Sequence, residues 1–120
     1  MKILIADDSR VMRQIVTRTL RQAGFDGHDL LEAADGREAY DKAVAESPDL
    51  VISDWNMPEM TGVEVLRRLR AGGNEVTFGF VTSECTPEMQ AQAEAAGAKF
   101  FIVKPFTAER FDEVFSGILG

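Results

Sequence analysis

Four places in this 120-residue chain put side chains able to do chemistry directly after, or at the end of, an apolar run: Asp7-Asp8, Asp54, Thr82 and Lys104 before Pro105. Gathered at one place, three carboxylates repel, raise one another's pKa and destabilise the fold unless a cation answers them. The single cysteine, Cys85, and the single histidine, His28, cannot build a Cys/His cage, so any metal is held by oxygen. Carboxylates, a backbone carbonyl and retained waters suit octahedral Mg²⁺ better than a seven- or eight-ligand Ca²⁺ cage. Lys104 supplies a second positive charge. Such a rim attracts a phosphoryl group, and a carboxylate such as Asp54 can act as nucleophile and carry it as an acyl phosphate. Mg²⁺ and Lys104 would neutralise the transferring oxygens. Taken singly, each residue has an ordinary alternative: Asp8 or Ser9 as a helix cap, Asp54 as the start of a turn with Asn56 and Pro58, Lys104 as a solvated lysine.

What positions these groups is an alternation of buried runs with helical periodicity. The runs are 3–6, 50–53, 78–82 and 100–103, with a weaker one at 30–33. Between the first two, Val11, Met12, Ile15, Val16, Thr19, Leu20 and Ala23 form an amphipathic pattern ended by Gly24, with Arg10, Arg13, Arg18 and Arg21 pointing elsewhere. A second helix carries Ala39, Tyr40, Ala43 and Val44 on one face, with Asp35 and Glu38 as its capping pair and Pro48 as its stop. A third opens at Thr61 with Glu64, buries Val63, Leu66 and Leu69, and turns at Ala71-Gly72-Gly73-Asn74. The fourth opens at Thr86-Pro87-Glu88, turns Met89, Ala93 and Ala96 inward and closes at Gly97. The last follows Thr107, packs Phe111, Val114, Phe115, Ile118 and Leu119, and runs to Gly120.

Strict β/α alternation without linker, repeat or low-complexity tract predicts one three-layer α/β/α sandwich over a parallel sheet. Right-handed crossovers place helices on both faces, and the working site falls at the carboxyl ends of the strands. Thirteen Lys and Arg against twenty Asp and Glu give a net charge of −7. That disfavours nucleic acid and anionic membranes as partners. With no long apolar run and no signal-like start, the chain reads as cytoplasmic.

Asp7-Asp8-Ser9, the run from Val51 to Pro58, Val81-Thr82-Ser83 and Val103-Lys104-Pro105-Phe106-Thr107 together resemble the receiver domain of two-component response regulators. The resemblance spans the whole chain. Within that family, Met12-Arg13, the run from Val51 to Pro58 and the stretch from Val103 to Ala108 are most similar to the single-domain, CheY-like chemotaxis regulators. It implies a sheet order of 2-1-3-4-5, the flavodoxin-like order such receivers share, and one domain over 1–120 without an output domain.

The resemblance also implies roles. Asp54 is the phospho-acceptor, and Asp8, Asp54 and the backbone carbonyl of Asn56 bind Mg²⁺ directly, with Asp7 acting through water. Lys104 pairs with the phosphoryl group, Thr82 hydrogen-bonds it, and the Lys104–Pro105 peptide is cis. Phe101 takes the place of an aromatic switch residue that turns inward as Thr82 moves, biasing the surface of the fourth helix, fifth strand and fifth helix. In CheY itself this position is tyrosine. Asn56 and Glu84 tune how water reaches the phosphoryl group, giving self-catalysed dephosphorylation, and Trp55 reports the state of the site. The implied partners are a CheA-like sensor histidine kinase or a histidine phosphotransfer domain docking near the arginines of the first helix, a flagellar switch protein and a phosphatase. The protein itself is expected to be a monomer.

Two departures bear on the partner: Thr86-Pro87-Glu88-Met89 replaces a lysine-bearing turn, and Gly79 interrupts the fourth strand without an evident functional reason. Cys85 reads as a small, weakly polar residue. A phosphorelay intermediate or phosphate sink without a motor target is the alternative inside the family. Outside it stand a Mg²⁺-dependent aspartyl-phosphate phosphohydrolase, which would need a cap this chain has no insertion to form, and a flavodoxin-like FMN carrier. Asp7-Asp8 would repel the phosphate of the latter.

Overall fold

Each apolar run becomes a strand because, once flanked by helices on both faces, it hides both sides of its pleat. The computed structural model describes residues 1–119; Gly120 lies outside the described residues. The elements follow in order as β1 (Lys2–Ala6), α1 (Arg10–Gln22), β2 (Asp29–Ala33), α2 (Gly36–Glu46), β3 (Leu50–Ser53), α3 (Gly62–Ala71), β4 (Thr77–Thr82), α4 (Pro87–Ala96), β5 (Phe100–Val103) and α5 (Ala108–Leu119). All four strand pairings are parallel, and the sheet order is β2-β1-β3-β4-β5. This is the α/β/α sandwich expected from the sequence.

The helices divide between the faces. Ile3, Ile5, Ile52, Val81 and Ile102 point into one core layer with Val16 and Leu20 of α1 and Phe111 and Phe115 of α5. Leu4, Val51, Phe78 and Phe80 point into the other, beneath α2, α3 and α4. The helix ends are set locally. Ser9, Asp35, Thr61 and Thr86 each accept a hydrogen bond from a backbone N–H three residues on. Thr61 and Glu64 close a reciprocal capping box.

Three sequence expectations need correction. Val11 is 63% exposed and Val44 is 54% exposed, so neither belongs to the buried stripe of its helix. At 100° per residue, Val11 lies about 140° around α1 from the buried Val16, and Val44 about 100° around α2 from Ala43. Arg13 departs in the opposite sense, because its side chain is only 13% exposed and does not share the solvated face of Arg10, Arg18 and Arg21. Gly79, in turn, acquires a structural reason: a Cβ there would stand 2.4 Å from the ring of Phe100, its register partner on β5. That ring fills the space above Gly79 and packs edge-on against Phe115.

Candidate functional site

β1 and β3 are neighbours in the sheet, with Ala6 opposite Ser53, so the residues that follow them emerge side by side. Asp7, Asp8 and Asp54 each offer a carboxylate oxygen, and these oxygens lie within 4.8 Å of one another. Asp7 is the buried member at 4% exposure, Asp54 is half-buried and Asp8 is open to solvent. Ser9, not Asp8, caps α1, which leaves the Asp8 carboxylate free of that duty.

Lys104 reaches the cluster from the end of β5. Its Nζ donates to Asp7 Oδ2 at 3.2 Å and lies 3.6 Å from Asp54 Oδ2. The other oxygen of each aspartate is held by backbone: Ser9 N–H donates to Asp7 Oδ1 at 2.9 Å, and Trp55 N–H to Asp54 Oδ1 at 2.7 Å. Burial raises the Asp7 carboxyl above its usual 3.8, while the Ser9 N–H and Lys104 pull it down and Asp54 pushes it up again. One ammonium is thus paired with two of the three carboxylates, Asp7 and Asp54. The donors are all hard oxygens, a set that fits Mg²⁺ and offers no thiolate or imidazole to a softer ion.

Thr82, fully buried at the end of β4, accepts from the Glu84 N–H at 3.5 Å, and its carbonyl accepts from Lys104 N–H at 2.8 Å. Across the mouth, the exposed Asn56 side chain donates to Glu84 Oε1 at 3.3 Å. The Lys104–Pro105 peptide is cis. Phe101 is half-buried, its ring 6.2 Å from Trp55 and 6.0 Å from Phe80. Trp55 is itself buried against Phe80 at 4.9 Å, so an aromatic run leads from the residue beside Asp54 to β5. Beside Lys104 opens an apolar groove of about 380 Å³ between Met12, Ile15, Pro105 and Phe106. Every predicted site residue thus lies at or beside one rim.

Sequence reasoning missed the residues that brace the 54–61 loop. A Cβ on Gly62 would stand 2.2 Å from the Asp54 carbonyl oxygen, and one on Gly36 would stand 1.8 Å from that of Met60. The same glycines donate N–H bonds to Trp55 and Pro58 carbonyls, at 2.8 and 3.1 Å. Ser53 Oγ adds a bond to the Asp54 carbonyl at 2.8 Å. A readable signal existed: glycine at the first position of two helices disfavours helix, so close approach is the reason to place it there.

Comparison with known proteins agrees with this geometry. Residues 3–116 match the family model of the response regulator receiver domain. Chemotaxis protein CheY1 of Helicobacter pylori is 39% identical over an alignment covering all of this chain and 98% of the relative. A chemotaxis protein CheY homolog of Campylobacter jejuni is 40% identical, covering all of this chain and 93% of the relative. The solved structure of Vibrio cholerae chemotaxis protein CheY4 superposes with a TM-score of 0.84 at 38% identity, covering 98% of each chain. The strand order, the acidic rim and these full-length matches converge on one conclusion: the chain belongs to the response regulator receiver domain family.

Proposed function

We propose that this protein is a phosphorylation-activated signalling switch of a chemotaxis pathway, taking a phosphoryl group onto Asp54 from a phosphohistidine of a CheA-like sensor kinase or a histidine phosphotransfer domain. The observation that carries this reading is the half-buried Asp54 carboxylate, with one oxygen fixed by the Trp55 N–H and the other beside Lys104. Asp54 Oδ2 attacks phosphorus, the P–N bond to the donor imidazole breaks as the P–O bond forms, and the leaving ring keeps its electron pair and is protonated. Lys104 stands where it can neutralise charge on the phosphoryl oxygens.

Asp8, Asp54 and the Asn56 carbonyl would hold Mg²⁺, with Asp7 acting through water. The bound ion supplies charge neutralisation at the transferring oxygens. Thr82 presents a hydroxyl to the phosphoryl group, and its movement frees space next to Phe101 on the aromatic run. Asn56 and Glu84, bonded across the mouth, stand where they control water's approach and therefore self-catalysed dephosphorylation. The apolar groove beside Lys104 gives a donor protein a surface to dock on. A flagellar switch protein as target, a phosphatase as terminator and action in the cytoplasm fit the chemotaxis relatives; among the described residues no helix is long and apolar enough to cross a membrane.

Intact mass after incubation with acetyl phosphate tests the chemistry. Wild type with Mg²⁺ is expected to gain one hydroxylamine-labile phosphoryl group, and Asp54→Asn none. If neither a small phosphodonor nor beryllofluoride, followed by Trp55 fluorescence, distinguishes wild type from the variant, the chain has kept the fold and lost the reaction.

A further inference from the structure

Arg13 is the one arginine of α1 that the fold turns inward. Its Nη1 donates to the backbone carbonyl of Asp7 at 2.7 Å, and its Nε donates to Glu32 Oε1 on β2 at 2.8 Å. Arg10, Arg18 and Arg21 of the same helix are exposed. Helix geometry explains the difference, since Arg13 lies about 60° from the buried Val16, and the other three about 120° or more.

Asp7 is thereby held at four points. Its N–H donates to the Ala33 carbonyl at 3.0 Å, its carbonyl accepts from Arg13, and its two carboxylate oxygens accept from Ser9 N–H and Lys104 Nζ. Asp8 follows at once, so the peptide that Arg13 grips is the one joining the two adjacent acidic residues of the cluster. Glu32 completes the device. It fixes the guanidinium from β2, and its own backbone carbonyl accepts from Lys42 Nζ. A planar guanidinium fits this task, because two of its donors can engage two acceptors, one on β2 and one just after β1, with their relative placement set.

We infer that Arg13 is a positioning residue for the cation site: with Glu32 as its anchor, it fixes the Asp7–Asp8 peptide so that both carboxylates are presented to Mg²⁺. This rests on the proposed function, and it gives part of the α1 basic stripe a role other than docking. Electrostatics alone makes the opposite prediction. Removing a cation next to an acidic cluster strengthens its attraction for Mg²⁺. Loss of a group that orients metal ligands typically weakens metal affinity by about 10- to 100-fold.

The test is calorimetric titration of MgCl₂ into wild type, Arg13→Ala, Arg13→Lys, Glu32→Ala and Arg18→Ala, with metal-free unfolding curves for each. Arg13→Ala is expected to bind Mg²⁺ about 10-fold more weakly or worse. Arg13→Lys, able to reach either acceptor but not both, is expected to fall between it and wild type, as is Glu32→Ala. Arg18→Ala, which removes the same charge from the exposed face, is expected to leave affinity at or slightly above wild type. A lowered unfolding midpoint in Arg13→Ala with unchanged or tighter Mg²⁺ binding would overturn the assignment and leave Arg13 a purely structural residue. If Arg13→Ala does not fold, Arg13→Lys, which keeps the charge, decides the question by the same criterion. Wild type that takes up no Mg²⁺ would sink the proposed function and this assignment with it, whereas tight binding by wild type and variants alike would sink this assignment alone.

Discussion

α3 and α4 are both ten-residue helices opened by a threonine cap, and they lie side by side on one face of the sheet, yet the fold holds them very differently. α3 buries Gly62, Val63, Val65, Leu66 and Leu69, closes a capping box, and presses its first residue against the Asp54 carbonyl. α4 buries Ala93 alone. Its links to α3 include Arg70, which donates to the Gly97 carbonyl at 3.1 Å, and a marginal 3.5 Å contact from Arg67 to Gln92. Burial of large side chains is the main source of helix stability in a protein, so α3, with four buried apolar side chains against one, is expected to be held the more firmly and α4 to shift or open at lower cost. The difference maps onto the proposed work. A nucleophile and its charge partners need fixed geometry, while a signal needs a neighbouring element whose position can change.

The strongest way to break this contrast is to overpack the fixed helix. Gly62→Ala would drive a methyl to 2.2 Å from a backbone oxygen and 2.9 Å from the Phe80 ring, and neither neighbour is the loose end of a flexible chain. A loss of about 3 kcal/mol in unfolding free energy is expected, measured by urea titration. Gln92→Ala on the exposed side of α4 is expected to stay within about 0.5 kcal/mol of wild type. A Gly62→Ala loss below about 1 kcal/mol would mean that the loop carrying Asp54 yields easily, and the contrast with α4 would collapse.

A second, smaller effect concerns the charge stored at the fixed end. Because burial raises the Asp7 carboxyl in the folded state, the fold binds more protons than the unfolded chain in a window beginning near the ordinary 3.8. This group's contribution to stability therefore falls as pH rises through that window, and at neutral pH its ionised form costs stability. Asp7→Asn is expected to raise the metal-free melting temperature at pH 7, with the advantage shrinking as pH falls to 3.8 and below. Mg²⁺ is expected to stabilise wild type by about 1.4 kcal/mol at ten times its dissociation constant, and Asp7→Asn by less at the same concentration. Differential scanning calorimetry with and without Mg²⁺ reads both; an Asp7→Asn variant less stable than wild type without metal at pH 7 would refute the electrostatic account.

The rim itself was legible because strand ends are written in the sequence: the runs at 50–53 and 100–103 coincide with β3 and β5, and Asp54 and Lys104 follow them directly. Cap residues were legible for the same local reason. What could not be read is anything set by distance through space. Residue type alone puts Val11 and Val44 with the apolar stripes, whereas helix geometry sets them about 140° from Val16 and about 100° from Ala43, where both are exposed. Helix geometry sets Arg13 nearer the buried Val16 than its three neighbours, but its partners, Glu32 on β2 and the carbonyl of Asp7 just after β1, come to it through space. Gly36, Gly62 and Gly79 each answer a clash with a residue at least 21 positions away or across a loop, which composition cannot announce.

The smallest expected effect sharpens the comparison most, because it bears on α4 without touching its buried face. Arg70 donates to the Asn74 carbonyl at 2.9 Å, within the turn after α3, as well as to Gly97, where α4 ends in the left-handed conformation. Arg70→Ala removes both bonds from a partly exposed site, at a cost of about 1 kcal/mol. If α4 is the loosely held helix, that cost is local: amide hydrogen exchange is expected to speed up across the C-terminal turn of α4 while the interior of α3 exchanges as in wild type. Arg70→Lys, reaching one carbonyl at a time, is expected to restore part of the protection. Uniform acceleration through α3, α4 and the sheet would mean that the two helices open as one unit. In that case the difference in their burial does not divide the molecule into a fixed part and a movable one.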